Sequence, residues 1–168
     1  MSRTRRGSQR RECASLATAR HWPGVAALVV RRLPSTQAMN AVMVNDTEPE
    51  RKVLAVDLRH VLSALGSRAL GSEWRVREVW AEGDAKPELE AFDGSELITG
   101  LRLAALAQNV TQIIDGEFSA FESGQTIPWV VVEALDSTYY TVRSDDASIL
   151  ARIRSAFHDV TDYEHPVA

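Results

Sequence analysis

The apolar positions of this chain change period several times, and each change marks an element. Leu54, Leu58, Val61, Leu62 and Leu65 recur at the spacing of one helix face. Upstream, Thr47-Glu48-Pro49-Glu50 has the form of a capping box with proline in the first turn, and Gly66 supplies a stop. A helix is therefore predicted over 48–65. His60 lies beside its apolar stripe and reads as a packing or solvent-edge histidine rather than a catalytic one. The next stretch, EWRVREVWAEG, alternates instead. Trp74, Val76 and Trp80 share a face with Glu78, and Arg75, Arg77 and Val79 share the other, which predicts a strand over 73–82. Gly83 to Pro87 is turn chemistry, and 88–92 reads as a short returning strand.

Asp93-Gly94-Ser95 opens a second helix over 96–108, with Leu97, Ile98, Leu101, Ala104 and Ala105 as its buried stripe. Gly100 inside it costs about 1 kcal/mol relative to alanine, which points to close approach to a strand. Beyond Gln108 the period returns to two, predicting a strand over 111–121. Ile114, Gly116, Phe118 and Ala120 share one face, and Ile113, Asp115, Glu117 and Phe121 the other. Gly116 marks a bulge or tight packing. A third helix is predicted over 146–157, capped by Asp145 or Asp146, with Ile149, Leu150, Ile153 and Phe157 buried.

Between them, IPWVVVEALDSTYYTVRSDD predicts a hairpin of strands 128–135 and 139–144 around the loop Asp136-Ser137-Thr138. The preferred register sets Leu135 opposite Tyr139, Ala134 opposite Tyr140, Glu133 opposite Thr141, Val132 opposite Val142 and Val131 opposite Arg143. One face is then Val130, Val132, Ala134, Tyr140 and Val142, plainly core. A slip of one residue scrambles both faces. The second face, Trp129, Val131, Glu133, Leu135, Tyr139, Thr141 and Arg143, sets large apolar groups around one Glu and one Arg. Three readings fit it: cover by a helix of the same chain, a subunit interface, or a ligand pocket whose carboxylates are Asp115, Glu117 and Glu133. Trp129 is expected to be the more buried of its aromatics and Tyr139 the more exposed.

These elements describe an α+β domain, an antiparallel sheet of about four to five strands with three helices mainly on one face. Charge divides the chain differently. Residues 1–38 hold eight arginines against one acid, Glu12, a net +7, whereas residues 39–168 hold 11 basic and 22 acidic side chains, a net −11. The expected organisation is a basic, disordered leader over 1–38 and a single acidic domain over 39–168. A transit peptide, a nucleic-acid-binding arm and a start codon assigned too early all fit the leader. Met39 and Met43 sit where the composition changes.

Chemistry narrows the picture little. The single cysteine, Cys13, excludes an intrachain disulfide. No phosphate loop, zinc spacing or nucleophile elbow occurs, so neither metal nor cofactor is expected. No apolar run approaches the ~20 residues of a membrane span. A domain charge of −11 opposes nucleic-acid binding. The expectation is a cytoplasmic, non-catalytic interaction protein that binds a basic partner or forms a homodimer, through Asp115, Glu117, Trp129, Glu133, Tyr139 and Arg143. The alternative is an enzyme or small-ligand binder using the carboxylate-lined sheet face.

Overall fold

The computed structural model describes residues 39–48, 50 and 54–164; the readings of the leader over 1–38 lie outside them. The order is β1 (Asn40–Val44), α1 (Leu58–Leu65), α2 (Ser67–Gly71), β2 (Glu73–Gly83), α3 (Lys86–Leu89), β3 (Leu97–Thr99), α4 (Gly100–Ala107), β4 (Val110–Phe121), β5 (Val130–Leu135), β6 (Tyr139–Ser144), α5 (Ala147–Ala156) and β7 (Val160–Tyr163). The strands form one antiparallel sheet in the order β3-β2-β4-β5-β6-β1-β7. Every helix sends buried residues into one cluster with a single face of that sheet, from Leu58 and Leu65 of α1 to Ile149 and Ile153 of α5. The other face carries no helix among the described residues. None of the described helices is long and apolar enough to cross a membrane.

The hairpin forms with the expected register, Leu135 opposite Tyr139 through Val131 opposite Arg143. Its loop follows from local chemistry, since Asp136 and Ser137 both take the left-handed conformation that a tight hairpin turn requires. The Asp146 side chain caps α5 by accepting from the Ser148 N–H.

The sheet has seven strands and the described residues five helices, so the expected four to five strands and three helices fall short. β1 occupies residues read as the approach to the first helix, and β7 follows the last one. Both are short, and their partners lie far away in sequence. The helix expected over 48–65 begins only at Leu58. Thr47 bridges Leu54, and the Ala55 N–H bonds the Asp46 carbonyl, an antiparallel pairing that no helix running through both residues makes. Asp57 is the real N-cap, and its N–H is accepted by His60 Nδ1 at 3.0 Å. His60 is thus an exposed capping residue.

The strand expected over 88–92 is instead the helical turn α3. Pro87 suits a first helical turn and cannot donate to a ladder. Leu89 and Phe92 are buried, and the Glu90 carboxylate accepts the Ala81 N–H at 3.1 Å, occupying the β2 edge a returning strand would use. The second helix starts at Gly100 rather than 96, because Leu97–Thr99 pair with Glu73–Arg75. Gly100 does mark a close approach, but to a helix: a Cβ there would lie 2.0 Å from the Ala69 carbonyl oxygen of α2.

Two irregularities decide what the helix-free face presents. In β2 the register slips between Arg77 and Trp80, and Glu78 takes φ 55. An inserted residue reverses which face the following side chains occupy. Trp74 and Val76 are buried in the core as expected, but Trp80 leaves their face and is 53% exposed, while Ala81 takes the core position. A second slip, between Trp80 and Ala81, brings Ile113 into the core with Phe118 and Ala120, not onto the face of Asp115. Gly116 lies at tight packing, where a Cβ would come within 3.2 Å of Val79 and Phe118.

Candidate functional site: the helix-free sheet face

Register places the side chains of this face in rows across the strands. One row runs Arg77, Glu117, Glu133, Thr141, Met43 and Thr161. The row above it is Leu97, Arg75, Ser119, Val131, Arg143, Ala41 and Tyr163. Below, Trp80 pairs with Asp115, and Leu135 with Tyr139.

Glu117 and Glu133 are directly opposite, which alone would repel. Each has its own arginine. Arg77 Nε and Nη2 donate to Glu117 at 3.0 and 2.8 Å, the bidentate geometry that suits a guanidinium and a carboxylate, and Ser119 Oγ adds a bond at 3.0 Å. Arg143 Nη2 donates to Glu133 at 2.7 Å, and Thr141 Oγ donates to its other oxygen at 2.9 Å. Burial pushes the Glu117 carboxyl up, but the bonds from Arg77 and Ser119 outweigh it and hold the group below the usual carboxylate range. The same pairing raises the Arg77 guanidinium further. Thr141, in the centre, has no exposure at all, and Arg143 Nε is buried with no hydrogen-bond partner among the described residues.

Two further carboxylates join them. Asp115 Oδ1 accepts the Asp136 N–H at 2.9 Å, tying β4 to the hairpin turn, and Glu78 is exposed on its bulge. Glu78, Asp115, Glu117 and Glu133, with Leu135, line a concavity of about 380 Å³. Of these four carboxylates, Glu117 and Glu133 are each ion-paired with an arginine, and a third arginine of the face, Arg75, lies in the adjoining row. Among the described residues no group of His, Cys, Asp and Glu is arranged to hold a metal ion.

Of the six residues that the sequence singled out, Asp115, Glu117, Glu133 and Arg143 come together here. Trp129 does not. Its indole turns to the helix side, under the Arg68 guanidinium at 4.1 Å and donating to Ser72 Oγ at 3.0 Å. Tyr139 stands at the end of the face with its ring 6.3 Å from that of Tyr163, and its hydroxyl is shifted up, chiefly by burial and then by Tyr163. Tyr139 and Trp129 are both half-buried. Sequence reasoning left Glu78 and Trp80 out of the site, reading both on the face of Trp74 and Val76, with Glu78 marking where that face meets water. The only cue was Glu78 itself, a charge on an otherwise apolar strand face.

His60 and His158, scattered in sequence, meet at the rim of a second concavity of about 450 Å³ with Asp46 and Ser63. Their surroundings are structural. His60 Nδ1 caps α1, and the Asp46 carboxylate accepts the backbone N–H groups of His158 and Asp159. No family model, curated protein or solved structure matches this chain.

Proposed function

We propose that this chain is a non-catalytic interaction protein that docks a basic partner on the helix-free face of its sheet, in a cytoplasmic setting. The observation that carries the reading is the charge arrangement of that face. Its two inner carboxylates, Glu117 and Glu133, are each held by an arginine, while Glu78 and Asp115 stand beside them. A general acid at neutral pH needs a raised carboxyl pKa, whereas Glu117 is shifted down. A fixed, ionised carboxylate surface supplies charge complementarity, which steers and orients an oppositely charged partner.

A second reading, a small-ligand binder or enzyme using these carboxylates, is favoured by one observation: the carboxylates rim a concavity rather than a flat patch. The test is a titration of the full chain with an arginine-rich peptide, followed by backbone amide shifts and repeated at rising salt. Shifts confined to β2, β4 and β5, weakening with salt and lost in the double variant Glu78→Gln/Asp115→Asn, are expected. Equal binding by that variant, while the charge-matched control Asp84→Asn/Glu96→Gln loses it, overturns the reading. Light scattering on the same samples reports whether the chain self-associates instead.

A further inference from the structure

We infer that Trp80 is the anchor of this surface and that it receives an arginine side chain of the partner, with Glu78 and Asp115 as counter-charges; this rests on the docking reading above. Three arginines of the described residues lie over aromatic rings: Arg68 over Trp129 at 4.1 Å, Arg75 over Phe121 at 4.9 Å and Arg102 over Phe92 at 5.6 Å. None lies over Trp80, although it is 53% exposed and directly opposite Asp115. Arg77, on the same strand, is fixed on Glu117 by two hydrogen bonds. An indole face attracts a cation more strongly than the other aromatic rings do, and tryptophan is the residue most enriched where interface energy concentrates.

The placement is built rather than incidental. Without the slip in β2, Trp80 would continue the face of Trp74 and Val76 into the core. The slip carries it to the acidic side and sets Glu78, at φ 55, on the rim of the same concavity as Asp115. A planar cation stacked on the exposed Trp80 ring would have the carboxylate of Asp115, its cross-strand partner, beside it. Arginine fits both, because its guanidinium stacks on rings and presents donors at its edge.

The probe is a short peptide with two arginines, compared with its citrulline counterpart, which keeps the shape and loses the charge. The readout is the indole N–H resonance of Trp80 in the full chain, identified by its disappearance in Trp80→Phe. The arginine peptide should move this resonance saturably, citrulline should not, and Trp80→Ala should bind at least about fivefold more weakly. Trp80 is exposed, so the same spectra show whether the variant keeps its fold. Binding that shifts β4 and β5 amides but leaves Trp80 unmoved, or that Trp80→Ala retains in full, overturns the anchor and leaves the docking reading standing. Equal binding of the citrulline peptide overturns the cationic chemistry. No binding of either peptide overturns both readings.

Discussion

The two faces of the sheet are held together by different physics. On the helix side, Trp74, Phe118, Tyr140 and Val142 have essentially no exposure and belong to one buried cluster with residues of the five described helices. Their contribution is area removed from water, at roughly 25 cal/mol per Å², and it does not depend on charge state. On the opposite face, rows of polar and charged groups pair across the strands. Glu117 and Glu133 sit side by side only because Arg77 and Arg143 neutralise each one. That face can hold ionised groups near others of like sign, which is what a recognition surface needs. The helix side tolerates no such group, and its one buried phenol, Tyr140, is pushed well up by burial and so stays neutral. The difference teaches that the same strands present a dry core and a charged surface through alternation, interrupted where β2 and β4 slip against each other around Trp80.

The largest test of this contrast is truncation on the helix side. Trp74→Ala should cost about 4 kcal/mol, since the side chain is fully buried and its Nε1 donates to the Ala69 carbonyl at 2.8 Å. Trp129→Ala, half-buried but bonded to Ser72, should cost about 3 kcal/mol. Urea unfolding measures both, and a neutral Trp74→Ala would mean that the helices do not depend on this face.

The charged face should respond to pH where the core does not. The folded Glu117 carboxyl is held below its ordinary value of 4.5, so its stabilisation is present above about pH 4.5 and lost as pH falls through the lower folded value. Glu117→Gln should therefore cost about 1 kcal/mol at pH 7, and its stability curve should converge on that of the parent in acid. Parallel curves for the two proteins across pH 2–7 would show that the Arg77 pair is energetically silent.

The smallest effect is expected at the end of the face. Tyr139→Glu should change stability by less than about 1 kcal/mol, because the ring contacts Tyr163 at the margin rather than the core. Unfolding of this variant at room temperature would show that the two tyrosines close the charged face as a packing unit.

Much of this was legible. Strands 111–121 and 139–144 and the pairing of 131–135 with 139–143 follow from alternation and turn chemistry, because neighbouring strands joined by a tight turn leave one register that buries one face. Asp115, Glu117 and Glu133 share a face by the same arithmetic. The segment 84–100 was misread because Phe92 and Leu97 carry apolar side chains whose role depends on a partner elsewhere. Leu97 and Ile98 fit a helix stripe until β2 offers them a ladder, and the Ala81 edge N–H that a strand over 88–92 would use is bound by the Glu90 carboxylate.

By itself, then, the sequence determined the α+β class, the antiparallel hairpin and its register, and the sign of the domain's charge. All of these rest on interactions between residues close along the chain or on a simple sum. The tertiary structure alone decided the two outer strands β1 and β7, the helix-free state of the charged face and the exposure of Trp80. Each of these depends on which distant backbone lies alongside. β1 exists because β6 and β7 flank it, and Trp80 faces outward because β2 slips one residue against β4 after Arg77, while the next slip sets Ile113 opposite Ala81 in the core.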